Sequence, residues 1–332
     1  MKIRIIILII GLVFTACDMK REAVGSADEI IVIVDQDHRE IIADVLNSIF
    51  NDTLFTPKPE PVYKLSYVDP AGFNDLKRQT NLILGSIGSN ATNSGTRLIR
   101  SLLGNQQFEE TLTGSDQVIF TRDQFARDQL FMILSAENEE NLRESLVGKT
   151  EWIKSVFNEL FEKRQKRFLF GGDRRKRVER SLNNQYNWGM IVPWGWQIIK
   201  ELPDSNFVWF GREYPFRWIS VHWEDGIIIP DSETADSLIR AFPEDYYGHV
   251  NINDYQYALE PVEFNHWTAW QATGIWESIA EPKGGPFISY IFYDGVTNRT
   301  YFINLLVFLP GKNKSILLRQ LDIIAHSFYV LD

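Results

Sequence analysis

The sequence predicts a mixed fold in two parts: a small N-terminal α/β layer domain, then an antiparallel α+β domain with helices covering its sheet. Three observations carry the prediction. In the first half, apolar strand-like runs alternate with helix-period segments, the order expected of a layered α/β unit. In the second half, strand-like runs follow one another around Gly and Pro turns. Finally, all ten tryptophans fall after position 150, nine of them between Trp188 and Trp276, so the two halves draw on different residues for their cores. At 332 residues and 44% hydrophobic, the chain has the length and composition of two globular units. The boundaries follow these shifts: a leader over 1–17, a tether over 18–27, the N-terminal domain over 28–170 and the Trp-rich domain over 171–332.

Taken in order, Glu29 to Val34 (EIIVIV) is a buried-strand run, and His38 to Phe50 carries a helix stripe at Ile41, Ile42, Val45, Leu46 and Ile49. Thr56 to Pro61 is a Pro-rich connection before a second strand at Val62 to Val68. Asp69-Pro70 opens a short helix to Lys77, with proline in the first turn where its missing N–H costs nothing. Asn81 to Ile87 is a third strand, Thr96 to Leu103 a helix, and Gln117 to Thr121 and Leu130 to Leu134 are strands. Asn138 to Phe168 is a long helix or a helix pair.

In the second half, Trp188 to Trp196 reads as strand, Pro-x-Gly turn, strand. Phe207 to Phe210 and Trp218 to Trp223 are two more strands, and Glu233 to Phe242 a helix. Trp267 to Trp276 is an aromatic strand. Phe287 to Tyr293 and Arg299 to Leu309 form a hairpin around Asp294-Gly295. The terminal helix from Asn313 has its stripe at Ile316, Leu317, Leu321, Ile324 and Phe328. Trp218 and Trp223 are five apart, so they face opposite sides of a regular strand.

The leader is the clearest functional signal. Lys2 and Arg4 precede an uncharged apolar run from Ile5 to Phe14, and Thr15-Ala16-Cys17 closes it. A run of about ten residues suits a signal-peptide core, since a spanning helix needs roughly twenty. Val13 to Cys17 resembles a bacterial lipobox, with Phe14 where leucine is usual. That resemblance implies a diacylglycerol thioether on Cys17, anchoring the chain to a lipid bilayer at the cell envelope. Ordinary cleavage after Ala16 and a retained anchor are the competing readings. The leaflet, inner or outer, is not assigned.

Composition narrows the function classes. The net charge is −10, and removing Lys2 and Arg4 with the leader takes it to −12, which argues against nucleic acid as a partner. Cys17 is the only cysteine, so there is no intrachain disulfide, thiol nucleophile or iron–sulfur cluster. Against this acidic background, Glu162 to Arg180 holds nine Lys/Arg and three Asp/Glu. One reading is contact with phosphate-bearing headgroups or glycans near the membrane. The favoured one is a solvated face paired with the acidic stretch Asp231 to Glu263.

Candidate sites are few. Asp35, Asp37 and His38 follow the first strand, where α/β folds tend to bind ligands, and are metal-donor or acid types. The simpler role for Asp35 or Asp37 is to cap the next helix. Gly85 to Asn90 is a Gly/Ser/Asn loop that either cradles phosphate or is plain surface. Trp194, Trp196, Trp267 and Trp270 form a candidate platform for a partner protein or a glycan, because aromatic rings give contact area at low entropic cost. Trp188, Trp209, Trp218, Trp223 and Trp276 are assigned to the core. No zinc, nucleophile-elbow or dinucleotide motif occurs, and no cofactor is expected.

The chain resembles a family of uncharacterised predicted bacterial lipoproteins, a domain of unknown function. The residues carrying this are Cys17, the EIIVIV strand, the Pro-rich connection before Val62, and Asn81. Further along they are Trp188-Gly189, Pro193-x-Gly195-Trp196, Asn206 to Trp209 and Gly274-x-Trp276. Gly284 to Phe287, Asn298-Arg299 and Arg319 to Leu321 complete them. A weaker similarity is to single-domain antiparallel folds of the photosystem-extrinsic or nuclear-import-factor type, which mostly bind partners. The resemblance implies an envelope lipoprotein without catalytic residues to carry over. The expected function is therefore a non-catalytic binding or assembly module. The alternative is an envelope enzyme acting on glycan or phosphorylated material through Asp35, Asp37 and His38.

Overall fold

The computed structural model describes residues 20–114 and 116–331, so the leader and Cys17 lie outside the described residues. The first part is a five-stranded sheet between two helical layers. Its elements run β1 (Glu29–Val34), α1 (Arg39–Ile49), a small hairpin of β2 (Thr53–Leu54) and β3 (Glu60–Pro61), β4 (Lys64–Val68), α2 (Phe73–Leu76) and β5 (Asn81–Ile87). Then follow α3 (Ser94–Leu103), α4 (Asn105–Thr113), β6 (Val118–Arg122), β7 (Leu130–Ala136), α5 (Glu139–Leu146) and α6 (Thr150–Phe170). The strand order is β4-β1-β5-β7-β6, parallel except for β6. Strands buried on both faces must be apolar throughout. Accordingly Ile30, Val32 and Val34 of β1 face α1, α5 and α6, while Ile31 and Ile33 face α3 and α4.

The second part is an antiparallel sheet. Its elements are α7 (Lys176–Tyr186), β8 (Trp188–Gly189), β9 (Gln197–Leu202), β10 (Phe207–Arg212), β11 (Phe216–Asp225) and α8 (Ser232–Tyr247). They continue with β12 (Val250–Phe264), β13 (Trp267–Ser278), β14 (Gly284–Asp294), β15 (Arg299–Phe308), α9 (Ser315–Ala325) and β16 (Tyr329–Val330). The order is β12-β13-β14-β15-β11-β10-β9. One face, with Trp223, Tyr290, Ile303 and Leu305, packs under α7 and α9; the other, with Phe207, Ile291 and Phe302, packs under α8. The fold is thus mixed α and β, as the sequence predicts, and Trp218 and Trp223 do fall on opposite faces.

One local expectation changes, and two elements appear that the sequence reading did not mark. Trp188-Gly189 does not pair with the strand after the Pro-x-Gly turn; it pairs with β16, because Trp188 is fully buried against Tyr186, Trp223 and Phe328. Residues 105–113 form a separate helix, parted from α3 by Gly104 in the left-handed region at φ 79°. Residues 250–264 are an edge strand whose Pro261, acidic side chains and register shift between Asn253 and Ala258 suit an edge that must not pair further.

The two parts are joined through α9. Glu60 accepts from the Lys314 and Ser315 amides at 2.6 and 2.9 Å and faces the Lys314 ammonium at 3.5 Å, so a carboxylate of one sheet's hairpin caps a helix of the other. The Arg319 guanidinium lies 3.4 Å from the Phe161 ring centre and donates to Asn158. Gln320 donates to Gln165 at 2.7 Å and accepts from Arg217 at 2.7 Å.

Candidate functional site

Two of the three residues singled out after β1 hold backbone amides. Asp35 accepts from the backbone amides of Ser94 and Gly95 at the start of α3, and Asn93 takes the Thr96 amide. Asp35 therefore caps α3, not the helix that follows it in sequence. Gly95 makes this possible, since a Cβ there would sit 2.5 Å from the Asp35 carboxylate. His38 Nδ1 accepts from the Ile87 amide at 3.2 Å, and Asp37 is exposed. Among the described residues no three His, Cys, Asp or Glu side chains gather as a metal site. Beyond the Gly85–Asn90 loop, the amides at the start of α3 already bond Asp35 and Asn93.

The four tryptophans expected to share a platform do not come together. Trp196 and Trp267 are core residues, 2% and 6% exposed; Trp267 Nε1 donates to Asp294 at 2.9 Å. Trp270 is half-buried on the α8 side of the sheet, and Trp194 stands out at 64% exposure on the turn after β8. The alternation of the strands decides this: Trp267 falls on the face beneath α9, and Trp270 on the other. The basic segment likewise pairs elsewhere than expected. Arg167 bonds Asp128, Lys166 bonds Glu162 and Arg174 bonds Glu179; none of the ion pairs among the described residues reaches Asp231 to Glu263 from it.

The structure builds an aromatic cleft where the sequence places core. Helix α8 covers the sheet only as far as Tyr247. Past it, Trp209 of β10, Trp218 of β11 and Trp276 of β13 are left around a cleft of about 270 Å³ with Tyr247 and Leu306. Trp218 meets Trp209 and Trp276 edge-on, both with ring centres 6.1 Å apart. Two glycines make room. Gly211 pairs with Trp218, where a Cβ would lie 2.9 Å from the indole. Gly285 pairs with Trp276, which crosses it to donate to the Val307 carbonyl at 3.2 Å.

The polar atoms of the cleft are unequal. Trp209 Nε1 is buried without an acceptor. Tyr247 shares a hydrogen bond with Ser220, and burial pushes its hydroxyl pKa up, so it stays a neutral phenol. His249, Glu281 and Lys283 stand exposed on the rim, the last two ion-paired. Trp276 also forms a wall of a wider groove of about 720 Å³, bounded by Pro57–Glu60 of the first part and Gly311–Lys314 of the second. The arrangement offers aromatic surface and a polar rim: it can hold a flat or ring-shaped ligand. The one sequence signal for it was the five-residue spacing that turns Trp218 away from Trp223.

Comparison with known proteins finds two family models that match separate stretches of the chain. Residues 23–169 match the model of a domain of unknown function (DUF8532), and residues 175–327 match another, the domain of unknown function DUF4837. No curated protein matches the chain. Among solved structures, the Ran-binding protein Mog1p of Saccharomyces cerevisiae is 12% identical over 44% of this chain and 91% of its own, at a TM-score of 0.33. LpqN of Mycobacterium tuberculosis, described as involved in cell envelope biogenesis, is 12% identical over 44% and 83%, at 0.30. At these scores neither likeness carries a conclusion about fold or function.

Proposed function

We propose that this chain is a lipid-anchored cell-envelope protein, held at the membrane by acylated Cys17, that binds a glycan in the Trp209–Trp218–Trp276 cleft without transforming it. The observation that carries the reading is the cleft itself, three indoles meeting edge-on around about 270 Å³ with a polar rim. Sugar rings present apolar faces to stack on indoles and hydroxyls for His249, Glu281 and Lys283 at the rim. The leader supports the anchor: a short apolar run ending in Ala16-Cys17. With Asp35 capping α3 and His38 holding the Ile87 amide, two of the three residues that an enzyme reading rested on have structural duties.

The test is titration of the polypeptide from Asp18 to Asp332 with cell-wall oligosaccharides, followed by tryptophan fluorescence. Trp209→Ala and Trp218→Ala are each expected to weaken binding about tenfold, the loss of one aromatic stack with its buried area. Saturable binding that both variants leave unchanged would exclude the cleft. Mass spectrometry of the membrane-extracted protein checks the anchor: an acylated N-terminal Cys17 is expected, and a mature chain beginning elsewhere would remove that part of the reading.

A further inference from the structure

On the α7 side of the molecule, the end of α6, the turn after β8 and the β10–β11 hairpin enclose a second cleft of about 300 Å³. Arg217 lies in its floor, 6% exposed, and Arg212 beside it, with its guanidinium carbon 3.8 Å from where a Cβ on Gly195 would stand. Arg217 bonds one acceptor, Gln320 at 2.7 Å, and its Nε has none. The contrast with Arg164 is instructive. That guanidinium is also buried, yet it bonds the Asp128 and Thr80 carbonyls and Asn81. Burial lowers both arginines to about 10, but the charge acting on Arg217 is another cation, Arg212. A buried guanidinium without a counter-ion costs several kcal/mol, so the cleft is built to take an anion.

The surroundings say where the anion comes from. Phe168 and Trp194 line the cleft and are 71% and 64% exposed, an arrangement water penalises and a bilayer interface rewards. Next to them Arg175 and, on α7, Lys176, Arg177 and Arg180 are all exposed and, among the described residues, have no ion-pair partner. Glu22 and Ala23, close in sequence to Cys17, share a cleft with Phe168. Five residues from Cys17 to Glu22 span at most about 18 Å. Asp173, at the cleft, is the one acid among its lining residues.

We propose that this face lies on the membrane and that Arg212 and Arg217 hold the phosphate of an anionic phospholipid headgroup, with Phe168 and Trp194 seated among the lipids. The proposal deepens the anchored reading but does not depend on the lipid at Cys17, so it is tested on the unacylated polypeptide from Asp18 to Asp332. That protein should co-sediment with vesicles of equal phosphatidylcholine and phosphatidylglycerol, far less with phosphatidylcholine alone, and less as salt rises. Arg212→Gln should weaken binding about fivefold, the worth of one interfacial cation. Trp194→Ser should weaken it several-fold without affecting salt dependence. Both residues are at least partly exposed, so the fold should survive, and oligosaccharide binding in the other cleft serves as the control. Equal binding to both vesicle types, or binding untouched by both substitutions, would overturn the proposal. So would saturation by inorganic phosphate with no vesicle binding, which would mean a site for a free anion.

Discussion

Replacing Glu60 with glutamine removes one negative charge from the seam between the two sheets. Glu60 is 5% exposed, and its oxygens take the Lys314 and Ser315 amides, the Lys314 ammonium and the Thr56 hydroxyl. Glutamine keeps the shape and one acceptor, so the amides retain a partner. Lys314, 7% exposed, is left with only the Lys312 carbonyl at 2.8 Å. Breaking a buried ion pair from one side costs about 3–5 kcal/mol, and the remaining carbonyl places this case near the lower end, at about 3 kcal/mol. Glu60→Ala should cost more, because α9 also loses its cap, worth about 1 kcal/mol. Urea unfolding followed by tryptophan fluorescence reads the second part directly, since nine of the ten tryptophans lie there. In a Lys314→Met background the same Glu60→Gln change should cost no more than about 1 kcal/mol, a coupling of roughly 2 kcal/mol. A loss below about 1 kcal/mol in the otherwise unaltered chain, or no coupling to Lys314, would refute the argument that this pair clamps α9.

Two further substitutions probe the sheet that α9 covers. Burial opposes charging His326, but the Asp322 carboxylate 3.3 Å from Nδ1 outweighs it and raises the folded pKa above 6.5. Its stabilisation is therefore complete below about 6.5 and is lost as pH rises through the folded value. Denaturation midpoints at about pH 6 and about pH 8 should differ less in His326→Gln than in the parent, and an unchanged difference would contradict the pairing. Gly285→Ala puts a Cβ 1.9 Å from the Val307 carbonyl oxygen, where the Trp276 N–H now donates. It should lower stability by about 1–3 kcal/mol and shift tryptophan emission to the red; a thermal melt identical to the parent's would show that β14 moves aside freely.

What could be read in advance follows from where burial is decided. β1, β5 and β7 are buried on both faces, so composition alone marks them. β12 is half-exposed and rich in Asn, Asp and Glu, so it lacks that mark and is legible only from its partner β13. The capping role of Asp35 spans 59 residues to Ser94, a link set by strand order and not by local spacing. The cleft is harder still. Trp209, Trp218 and Trp276 have the same local sequence character as core tryptophans. What leaves two of them half-buried is that α8 ends at Tyr247 and that Gly211 and Gly285 lie beneath the rings. Those are properties of the assembled sheet, and a single strand does not encode them.

The position of α9 has a consequence for the order of events. It follows every strand of both large sheets in the chain, yet it supplies Lys314, Arg319 and Gln320 to the first part and Leu318, Leu321 and Ile324 to the core of the second. A polypeptide emerging N-terminus first has both sheets in the open before the piece that fastens them arrives. During that interval Phe161 and Tyr63 lack their Arg319 cover and Trp188 lacks Phe328. Both halves then show apolar surface to whatever surrounds them, and a helper that shields nascent chains has its longest task here. Completion is a closing event at the far end of the chain, after which the two halves can no longer part independently.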